Sequence, residues 1–439
     1  LAIYSRKVIF SLFAGIITGA LISAKLNILQ TFMGSVDTVL RVFDSQGNTA
    51  TIIFAFLIGA VISLVEQSGG VTAFVNLFAK GSLLNSAKKS KLFTMIIGIL
   101  LFIESNISIL TSGTIARPIF KKFKISQEKL AYLLDSTCAP VKVLIPINAW
   151  GALLISQIAL NYNGSLSATD IFLSSMAYFF YPMVALIIVF ATVIFPFDIG
   201  PIKHTKAEEE VVDKEDELVN GGHSSYFFVP ILSLVLGMLF FMVITGDGDM
   251  RQGDGSKSVM YAVMLSLIAS YFWFAYKKVF DYEQYLEVSF IGIKNLLRVV
   301  IILILAFAIN IIAKDLQTGK YIANLLSQNI PNFIIPALIF VISALISFST
   351  GTSWGTFAIM MSIGLPAAVQ LDINIPLVVG ALVSGGVWGD HCSPISDTTV
   401  ISSLASGCSH IDHVKTQLPY AMLGGGISVI LFLIFGVIS

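Results

Sequence analysis

The chain has 439 residues, and its 26 basic residues are balanced by 26 acidic ones. Hydrophobic residues make up 56% and charged residues only 12%, whereas soluble domains carry about 25% charged residues. With a mean hydropathy of +0.87, this composition excludes a water-soluble fold, and the sequence has no basic patch that would indicate nucleic-acid binding. The length accommodates about ten membrane spans with their loops.

Nine apolar runs are predicted to cross a bilayer. They are residues 8–24, 50–69, 128–160, 170–196, 226–245, 258–276, 288–313, 374–404 and 417–438. Two further stretches, 92–120 and 331–366, are apolar at both ends and polar in the middle. Basic clusters flank both ends of 92–120, so we predict re-entrant hairpins, with a single kinked span as the alternative.

The distribution of basic residues sets the predicted orientation. With both hairpins in place, nineteen of the 26 lysines and arginines fall on the inner side and six on the outer side. This bias is what the positive-inside rule expects. It places the acidic segment 198–224 in the cytoplasm, where it is predicted to be a flexible linker.

The two halves of the sequence resemble each other. Residues 51–79 match 300–328, and each match leads into a polar-centred hairpin and then an apolar segment broken by "STCAPVK" (136–142) or "DHCSPIS" (390–396). We predict an all-α polytopic membrane protein with an inverted repeat of five spans plus one re-entrant hairpin each, and discontinuous helices at the midplane. The repeats are residues 1–197 and 225–439. The first is expected to have a further N-terminal helix, because the partner of 226–245 would precede residue 1.

The second broken segment contains two carboxylates in an apolar environment. Pro394 favours a helix break, and a charged carboxylate at mid-bilayer costs roughly 2.5–3.5 kcal/mol. Asp390 and Asp397 are therefore predicted to bind a cation, for which Na⁺ suits their hard oxygen ligands, or to be protonated. The alternative is that both aspartates only cap half-helix N-termini.

The first broken segment contributes Asp135, Thr137 and Lys142 as candidate ion- or substrate-binding residues. Lys142 aligns with Ser396 and is the only lysine deep in a predicted span. Three roles remain open for it: an ammonium that replaces a cation or pairs with Asp390, Asp397 or Glu104, a group that holds a substrate carboxylate, or a structural counter-ion.

The tips of the two hairpins supply the remaining candidate binding residues. Glycine permits close backbone approach to an ion and hydroxyls offer oxygens, although a single Ser or Thr commonly bonds its own helix backbone. The candidates are Glu104, Ser105, Asn106, Thr111 and Ser112 in the first tip, and Thr350, Gly351, Thr352 and Ser353 in the second. His391 is either a proton carrier or a hydrogen-bonded structural histidine, and His413 is interpreted as an interface residue.

The strings "GDHCSPISDTT", "HVKTQLPYA", "STCAPVKVLIPINAWG" and "STGTSWGTFAIM" resemble the NhaC-type Na⁺/H⁺ antiporter family of the ion-transporter superfamily. The resemblance runs over nearly the whole chain. It implies secondary active transport, and members differ in cargo: some exchange Na⁺ for H⁺, and others move carboxylates or amino acids. It also implies a dimer with a moving transport domain. The residues implied to lie near the ion are Asp390, Ser393, Ser396, Asp397 and Thr398.

We therefore expect a Na⁺/H⁺ antiporter with alternating, elevator-like access in the bacterial inner membrane, without a cofactor. Lys142 departs from the small residue expected at its position. The alternative is a Na⁺-coupled symporter or exchanger of a small amino acid or carboxylate. An ion channel fits paired broken helices less well. An intramembrane aspartyl protease is disfavoured because neither Asp135 nor Asp390 lies in a YD or GxGD setting, so the chain is not expected to be an enzyme.

Overall fold

The computed structural model describes residues 8–79, 86–102, 105–146, 148–195, 197–205, 222–249, 252–318, 321, 324 and 330–439. These residues form helices joined by short turns, without a β-strand among them. Most of the predicted acidic linker, residues 206–221, lies outside the described residues.

The first half of the described chain contains eleven helices. Several begin at a serine whose side chain accepts a hydrogen bond from a backbone N–H of the first turn, as at Ser45, Ser126 and Ser167. The helices are α1 (Val8–Ser23), α2 (Ile28–Arg41), α3 (Gln46–Gln67), α4 (Gly70–Ala79), α5 (Ala87–Leu100), α6 (Ser105–Lys122), α7 (Gln127–Ser136), α8 (Ala139–Leu144), α9 (Ala149–Asn161), α10 (Ala168–Ser175) and α11 (Phe180–Ile194).

The second half contains eight helices in the described residues. Asp254, Asp281 and Asn374 cap three of them through their side chains. The helices are α12 (Ser225–Thr245), α13 (Gly255–Tyr276), α14 (Tyr282–Asp315), α15 (Ile335–Thr350), α16 (Ser353–Gln370), α17 (Ile375–Cys392), α18 (Asp397–Ser406) and α19 (His410–Ile438).

The described helices make this a multi-pass membrane protein. Seven are long and apolar enough to cross a bilayer, and α10 with α11 forms an eighth span if their 42° bend lies within the membrane. Predicted spans 50–69, 226–245 and 258–276 are confirmed as α3, α12 and α13 to within a few residues. Predicted span 8–24 corresponds to α1, which is an apolar helix shorter than a span in the described residues. Span 128–160 is divided at two places rather than one, because Asn148 caps a separate helix, α9.

Each predicted hairpin consists of two helices that pack against each other, α5 with α6 and α15 with α16. Laid end to end, each pair would be roughly 50 Å long, which exceeds a hydrocarbon core of about 30 Å. The turn of the first hairpin begins at Leu101, ahead of the polar cluster. Thr111 and Ser112 therefore lie inside α6 rather than at a tip, because the helix continues unbroken from Ser105 through Lys122.

The same succession of elements occurs twice: a helix pair (α5–α6 or α15–α16) followed by a broken helix (α7–α8 or α17–α18). Helices of one half pack on helices of the other, with α6 and α7 on α18, α9 on α16 and α3 on α14. This interleaving brings both broken segments into one region. The inverted orientation of the two repeats and their boundaries stay predictions.

Both breaks in the helices follow from proline. Pro140 lies in the first turn of α8, where its missing N–H costs no hydrogen bond, and Pro394 lies between α17 and α18. The break leaves backbone carbonyls that must be satisfied inside an apolar protein. Gln417 Nε2 donates to the carbonyl of His391 at 2.6 Å, and His410 Nε2 lies 2.7 Å from that of Pro394. Helix α19 thus stabilises the second break.

Candidate ion-binding site

The carboxylate of Asp390 is the centre of the site. It lies in the last turn of α17 with 3% of its surface exposed. Its Oδ2 accepts hydrogen bonds from Ser353 Oγ at 2.5 Å and from the Ser353 backbone N–H at 3.3 Å, and its Oδ1 accepts from Ser396 Oγ at 2.8 Å. The site therefore joins the hairpin α15–α16 to both sides of the second break.

The position of Asp390 is electrostatically costly. The C-terminal end of a helix carries partial negative charge, which disfavours a carboxylate. The surrounding hydroxyls of Ser353 and Ser396 are neutral, and burial removes most of the stabilisation that water would give. The first N–H of α16, that of Ser353, also donates to this carboxylate, so the N-terminal end of that helix offsets part of the cost.

The tip of the second hairpin approaches the break closely at Gly351. This residue has a left-handed backbone with φ +64°, and a Cβ there would lie 2.6 Å from the carbonyl oxygen of Ile395. Thr352 is the N-cap residue of α16, which aims the first N–H groups of the helix at Asp390. The Thr350 hydroxyl donates to the carbonyl of Ile346 in its own helix.

The remaining predicted residues of the second break have different environments. Ser393 Oγ donates to the carbonyl of Phe348 at 2.6 Å, which ties the break to α15. Thr398 Oγ1 lies 3.1 Å from Ser396 Oγ, so it belongs to the same hydroxyl cluster. Asp397 is exposed, and its Oδ1 accepts from the N–H of Thr398. Its carboxylate repels that of Asp390.

Lys142 of the first break is completely buried. Its Nζ contacts Cys138 Sγ at 3.2 Å, and the described residues place no carboxylate within 4.0 Å of it. Cys138 Sγ in turn lies 3.4 Å from the carbonyl oxygen of Ser105 at the start of α6. The first hairpin and first break therefore meet at the start of α6, as the second pair meets at the start of α16, and Lys142 lies at the position that aligns with Ser396 in the sequence.

The other predicted residues of the first half are more dispersed. The Thr137 hydroxyl donates to the carbonyl of Leu133 and packs on Gly98, so it is satisfied by its own helix. Ser112 is buried and its hydroxyl has no hydrogen-bond partner among the described residues. Glu104 and the side chains of Asn106 and Thr111 lie outside the described part of the structure.

Asp135 lies in the last turn of α7 and is completely buried. Its Oδ2 accepts from Gln417 Nε2 at 2.7 Å and from Thr399 Oγ1 at 3.2 Å, and His413 Nε2 lies 3.4 Å away. The structure thus places Asp135 beside α18 and α19, on the other side of the second break from Ser353.

His391 joins this second group of polar residues. Its Nε2 lies 2.9 Å from Ser136 Oγ and its Nδ1 lies 2.6 Å from the hydroxyl of Tyr181. Both ring nitrogens are therefore partnered, as the structural interpretation of His391 expects. The sequence interpretation missed Tyr181, His413 and Gln417 as polar partners, because they lie far from Asp135 in the chain and no local pattern links them.

Asn148 is a further residue that the sequence interpretation missed. Its Oδ1 accepts from the N–H groups of Trp150 and Gly151, and its Nδ2 donates to the carbonyl of Lys142 at 2.8 Å. One amide therefore caps α9 and satisfies a carbonyl freed at the end of α8. The signal that could have found it is an Asn two residues after Pro146, which is typical of an N-cap.

Broken helices, paired helical hairpins and buried carboxylates at half-helix ends together define a secondary transporter of the membrane. A model of the Na⁺/H⁺ antiporter family matches residues 152–437. The chain belongs to this family, which implies Na⁺ and H⁺ as transported ions and a transporter rather than an enzyme.

Several curated relatives are similar to this chain in sequence. The chain is 36% identical to an uncharacterized protein of Haemophilus influenzae, over 96% of this chain and 86% of that protein. It is 32% identical to the malate-2H⁺/Na⁺-lactate antiporter of Bacillus subtilis over 33% of this chain and 31% of that one. The NhaC Na⁺/H⁺ antiporter of Alkalihalophilus pseudofirmus is 36% identical over 22% of this chain and 21% of that one.

Two solved structures have a similar fold. Neisseria gonorrhoeae MtrF, described as one of a class of antimetabolite efflux pumps, gives a TM-score of 0.65 and covers 98% of this chain and 94% of its own. The Alcanivorax borkumensis YdaH transporter gives 0.64 and covers 98% of both chains. Each is only 12% identical to this chain, so the likeness concerns the fold alone.

Proposed function

We propose that this protein exchanges Na⁺ for H⁺ across the bacterial inner membrane by alternating access. The observation that carries the proposal is the carboxylate of Asp390, buried at the C-terminal end of a half-helix and surrounded by hydroxyl groups. Membership of the Na⁺/H⁺ antiporter family supports it.

The proposed Na⁺ ligands are oxygen atoms that already lie together. Asp390 supplies the negative charge, and Ser353, Ser396 and Thr398 supply hydroxyl oxygens that turn from donating to the carboxylate to accepting the ion. Asp397 is exposed at the same break and repels Asp390, so a cation or proton at either carboxylate relieves the repulsion. Na⁺ and H⁺ therefore compete for these carboxylates, which is the basis of exchange.

The proposed movement exposes this site alternately to the two sides of the membrane. The hairpins and broken helices would move together in an elevator-like step, because Gly351 and Ser393 hold the second hairpin to the break by close backbone contacts. We expect a homodimer in which the remaining helices form the scaffold, and we expect transport to need no cofactor beyond the two transported ions.

A second candidate function is Na⁺-coupled transport of a small amino acid or carboxylate. It is favoured by Lys142, whose completely buried ammonium contacts a thiol and has no carboxylate within reach in the described residues. A substrate carboxylate would supply the missing counter-charge. Relatives whose names denote a malate/lactate antiporter and an arginine/ornithine antiporter add weight to this candidate. Uptake of labelled organic and amino acids into liposomes tests it, and an absence of uptake across the panel contradicts it.

Equilibrium binding of radioactive Na⁺ to the purified protein tests the Na⁺ site. We expect Asp390→Asn to abolish saturable binding and Ser353→Ala to weaken it about tenfold, since the alanine removes one of the oxygen atoms that are proposed to bind the ion. The matched control is Ser349→Ala, because Ser349 is exposed and donates to the carbonyl of Leu345 in its own helix. Wild-type affinity in Asp390→Asn would place the Na⁺ site elsewhere.

A further inference from the structure

A second group of buried polar side chains lies behind the proposed Na⁺ site. Its centre is the pair Asp135 and His413, both completely buried, with 3.4 Å between His413 Nε2 and Asp135 Oδ2. Helices α7, α11, α17, α18 and α19 all contribute to it. The other members are Ser136, Tyr181, His391, Thr399 and Gln417, each with 2% or less of its surface exposed.

This group contains buried polar atoms that are incompletely satisfied. In the described part of the chain, Asp135 Oδ1, Gln417 Oε1 and both ring nitrogens of His413 have no hydrogen-bond partner, and His413 Nε2 lies 3.4 Å from Asp135 Oδ2. Buried polar atoms are satisfied in the great majority of cases, and leaving one unpaired costs about 1–3 kcal/mol. Four such atoms in one group indicate that it is built for a function rather than for stability alone.

The chemistry of the group favours a proton over a metal ion. Two groups donate hydrogen bonds to Asp135 Oδ2, the amide of Gln417 and the hydroxyl of Thr399, and the ring of His413 lies 3.4 Å from it. A hard cation would need acceptor oxygens in these places. The amide of Gln417 is fixed in its donor orientation because its Nε2 also donates to the carbonyl of His391 at 2.6 Å. A carboxylate and an imidazole side by side are, in contrast, a suitable pair for holding one proton.

Neighbouring residues of the same two helices face the two sites. On α17, Asp390 bonds Ser353 and Ser396, whereas the next residue, His391, contacts Ser136 and Tyr181. On α18, Thr398 contacts Ser396, whereas the next residue, Thr399, donates to Asp135. The proposed Na⁺ site and the Asp135–His413 pair therefore lie back to back across one broken helix.

We propose that the Asp135–His413 pair binds a proton that is released when Na⁺ binds at Asp390, so that the protein has a proton site in addition to the carboxylates of its Na⁺ site. The inference rests on the proposed Na⁺/H⁺ exchange. With its proton, the pair is electrically neutral overall, either as carboxylate and imidazolium or as carboxylic acid and imidazole. Without it, the pair carries one buried negative charge.

The charge of the pair provides the coupling. A buried negative charge on Asp135 attracts Na⁺ to the adjacent Asp390 site through a medium of low dielectric constant, and a proton on the pair removes that attraction. The two positive ions therefore exclude each other although they bind different residues, which is the condition for antiport. Seven titratable groups of the described residues interact electrostatically with Asp135. They are His391, Asp390 and Cys392 on α17, Asp397 on α18, His413 on α19, Tyr181 on α11 and Cys138 before α8.

The test is the number of protons released per Na⁺ bound. Purified wild-type protein in weakly buffered detergent solution is mixed with Na⁺ in the presence of a pH indicator at a series of pH values from acid to alkaline, and Na⁺ binding is measured in parallel. We expect His413→Gln to retain Na⁺ binding at the alkaline end and to release one proton fewer per Na⁺ than wild type. Asp135→Asn is expected to do the same, and the double variant is expected to lose no further proton.

A control variant shows whether the change in proton release is specific to the Asp135–His413 pair. His223→Gln is the matched histidine control, because His223 is exposed and its ring bonds Ser225 at the start of α12, and it should release as many protons as wild type. If both His413→Gln and Asp135→Asn, eluting as folded protein, release the wild-type number, the separate proton site is wrong while Na⁺/H⁺ exchange stands. If wild-type protein binds no Na⁺, the proposed function itself fails and the inference fails with it.

Discussion

Asp135 and Asp390 each lie in the last turn of a half-helix, and both are buried. Their surroundings differ in chemistry: Asp390 has serine hydroxyls whose oxygens can accept a cation, and Asp135 has an amide that donates to it and an imidazole 3.4 Å away. In our proposal, Asp390 binds Na⁺ and the Asp135–His413 pair binds a proton. Lys142 lies in the first break at the position that aligns with Ser396 of the second.

Substitution of Lys142 distinguishes a fixed charge from a substrate ligand. We expect Lys142→Met to bind Na⁺ at least as tightly as wild type, because the change removes a buried positive charge without touching an oxygen of the proposed Na⁺ site. If the carboxylate-transport candidate is correct, the same variant loses solute uptake while it retains Na⁺ binding. The measurements are radioactive Na⁺ binding and labelled solute uptake, and a loss of Na⁺ binding would contradict both roles.

The residues near the second break could be predicted from the sequence because they are contiguous. A proline between two aspartates and several hydroxyls in an apolar run already indicates a broken helix and an ion site. The partners of Asp135 could not be predicted in this way, since Gln417 lies 282 positions further along the chain. Only tertiary packing of α7 against α18 and α19 brings them together.

At the scale of helices, prolines and long apolar runs are the sequence features from which helices and their breaks could be predicted. The prolines mark both breaks, and long apolar runs mark α3, α12 and α14. Helix α2 was missed, because its apolar residues, among them Phe32 and Met33, recur with helical spacing instead of forming a run. Its buried face carries Thr31, Ser35 and Thr38, so hydropathy alone gave no signal.

The contact between the second hairpin and the break depends on Gly351. We expect Gly351→Ala to lower the melting temperature and to abolish transport, because a Cβ would lie 2.6 Å from the Ile395 carbonyl oxygen in a backbone conformation with φ +64°. A left-handed conformation alone costs an L-residue about 1–2 kcal/mol, and the contact with backbone adds to it. Thermal unfolding in detergent and liposome transport measure the two effects.

The matched control is Gly426→Ala in α19, where a Cβ would meet no atom within 4 Å. It should leave the melting temperature unchanged or slightly higher, since alanine is the better helix former. If Gly351→Ala and Gly426→Ala have the same melting temperature and the same transport activity, the close contact between Gly351 and Ile395 is not needed for stability or transport.

At the scale of the whole molecule, the predicted topology determines on which side of the membrane each hairpin begins and ends. If 92–120 is a re-entrant hairpin, its two ends lie on the same side of the membrane, and the acidic segment that follows α11 lies there as well. The two helices of this hairpin pack against each other, and the side of the membrane on which its ends lie stays a prediction.

Labelling of single cysteines tests the topology. In a variant whose three native cysteines are replaced, Ser86→Cys and Lys124→Cys, at the two ends of the first hairpin, should both react with a membrane-impermeant maleimide only in inside-out vesicles. Asn332→Cys and Asp372→Cys, at the ends of the second hairpin, should react only in intact cells whose outer membrane has been permeabilised. Labelling of the two ends of one hairpin from opposite sides would mean that it is a span.

The most direct test of the proposed Na⁺/H⁺ exchange is proton movement driven by Na⁺ alone. Purified protein is placed in liposomes that contain a pH-sensitive dye, and an inward Na⁺ gradient is applied without any other solute. We expect the lumen to lose protons in liposomes with the wild-type protein and to keep them in liposomes with Asp390→Asn. An unchanged lumen pH with wild-type protein, in liposomes where a Na⁺-dependent solute uptake is then found, would contradict Na⁺/H⁺ exchange and would move Lys142 into the substrate site.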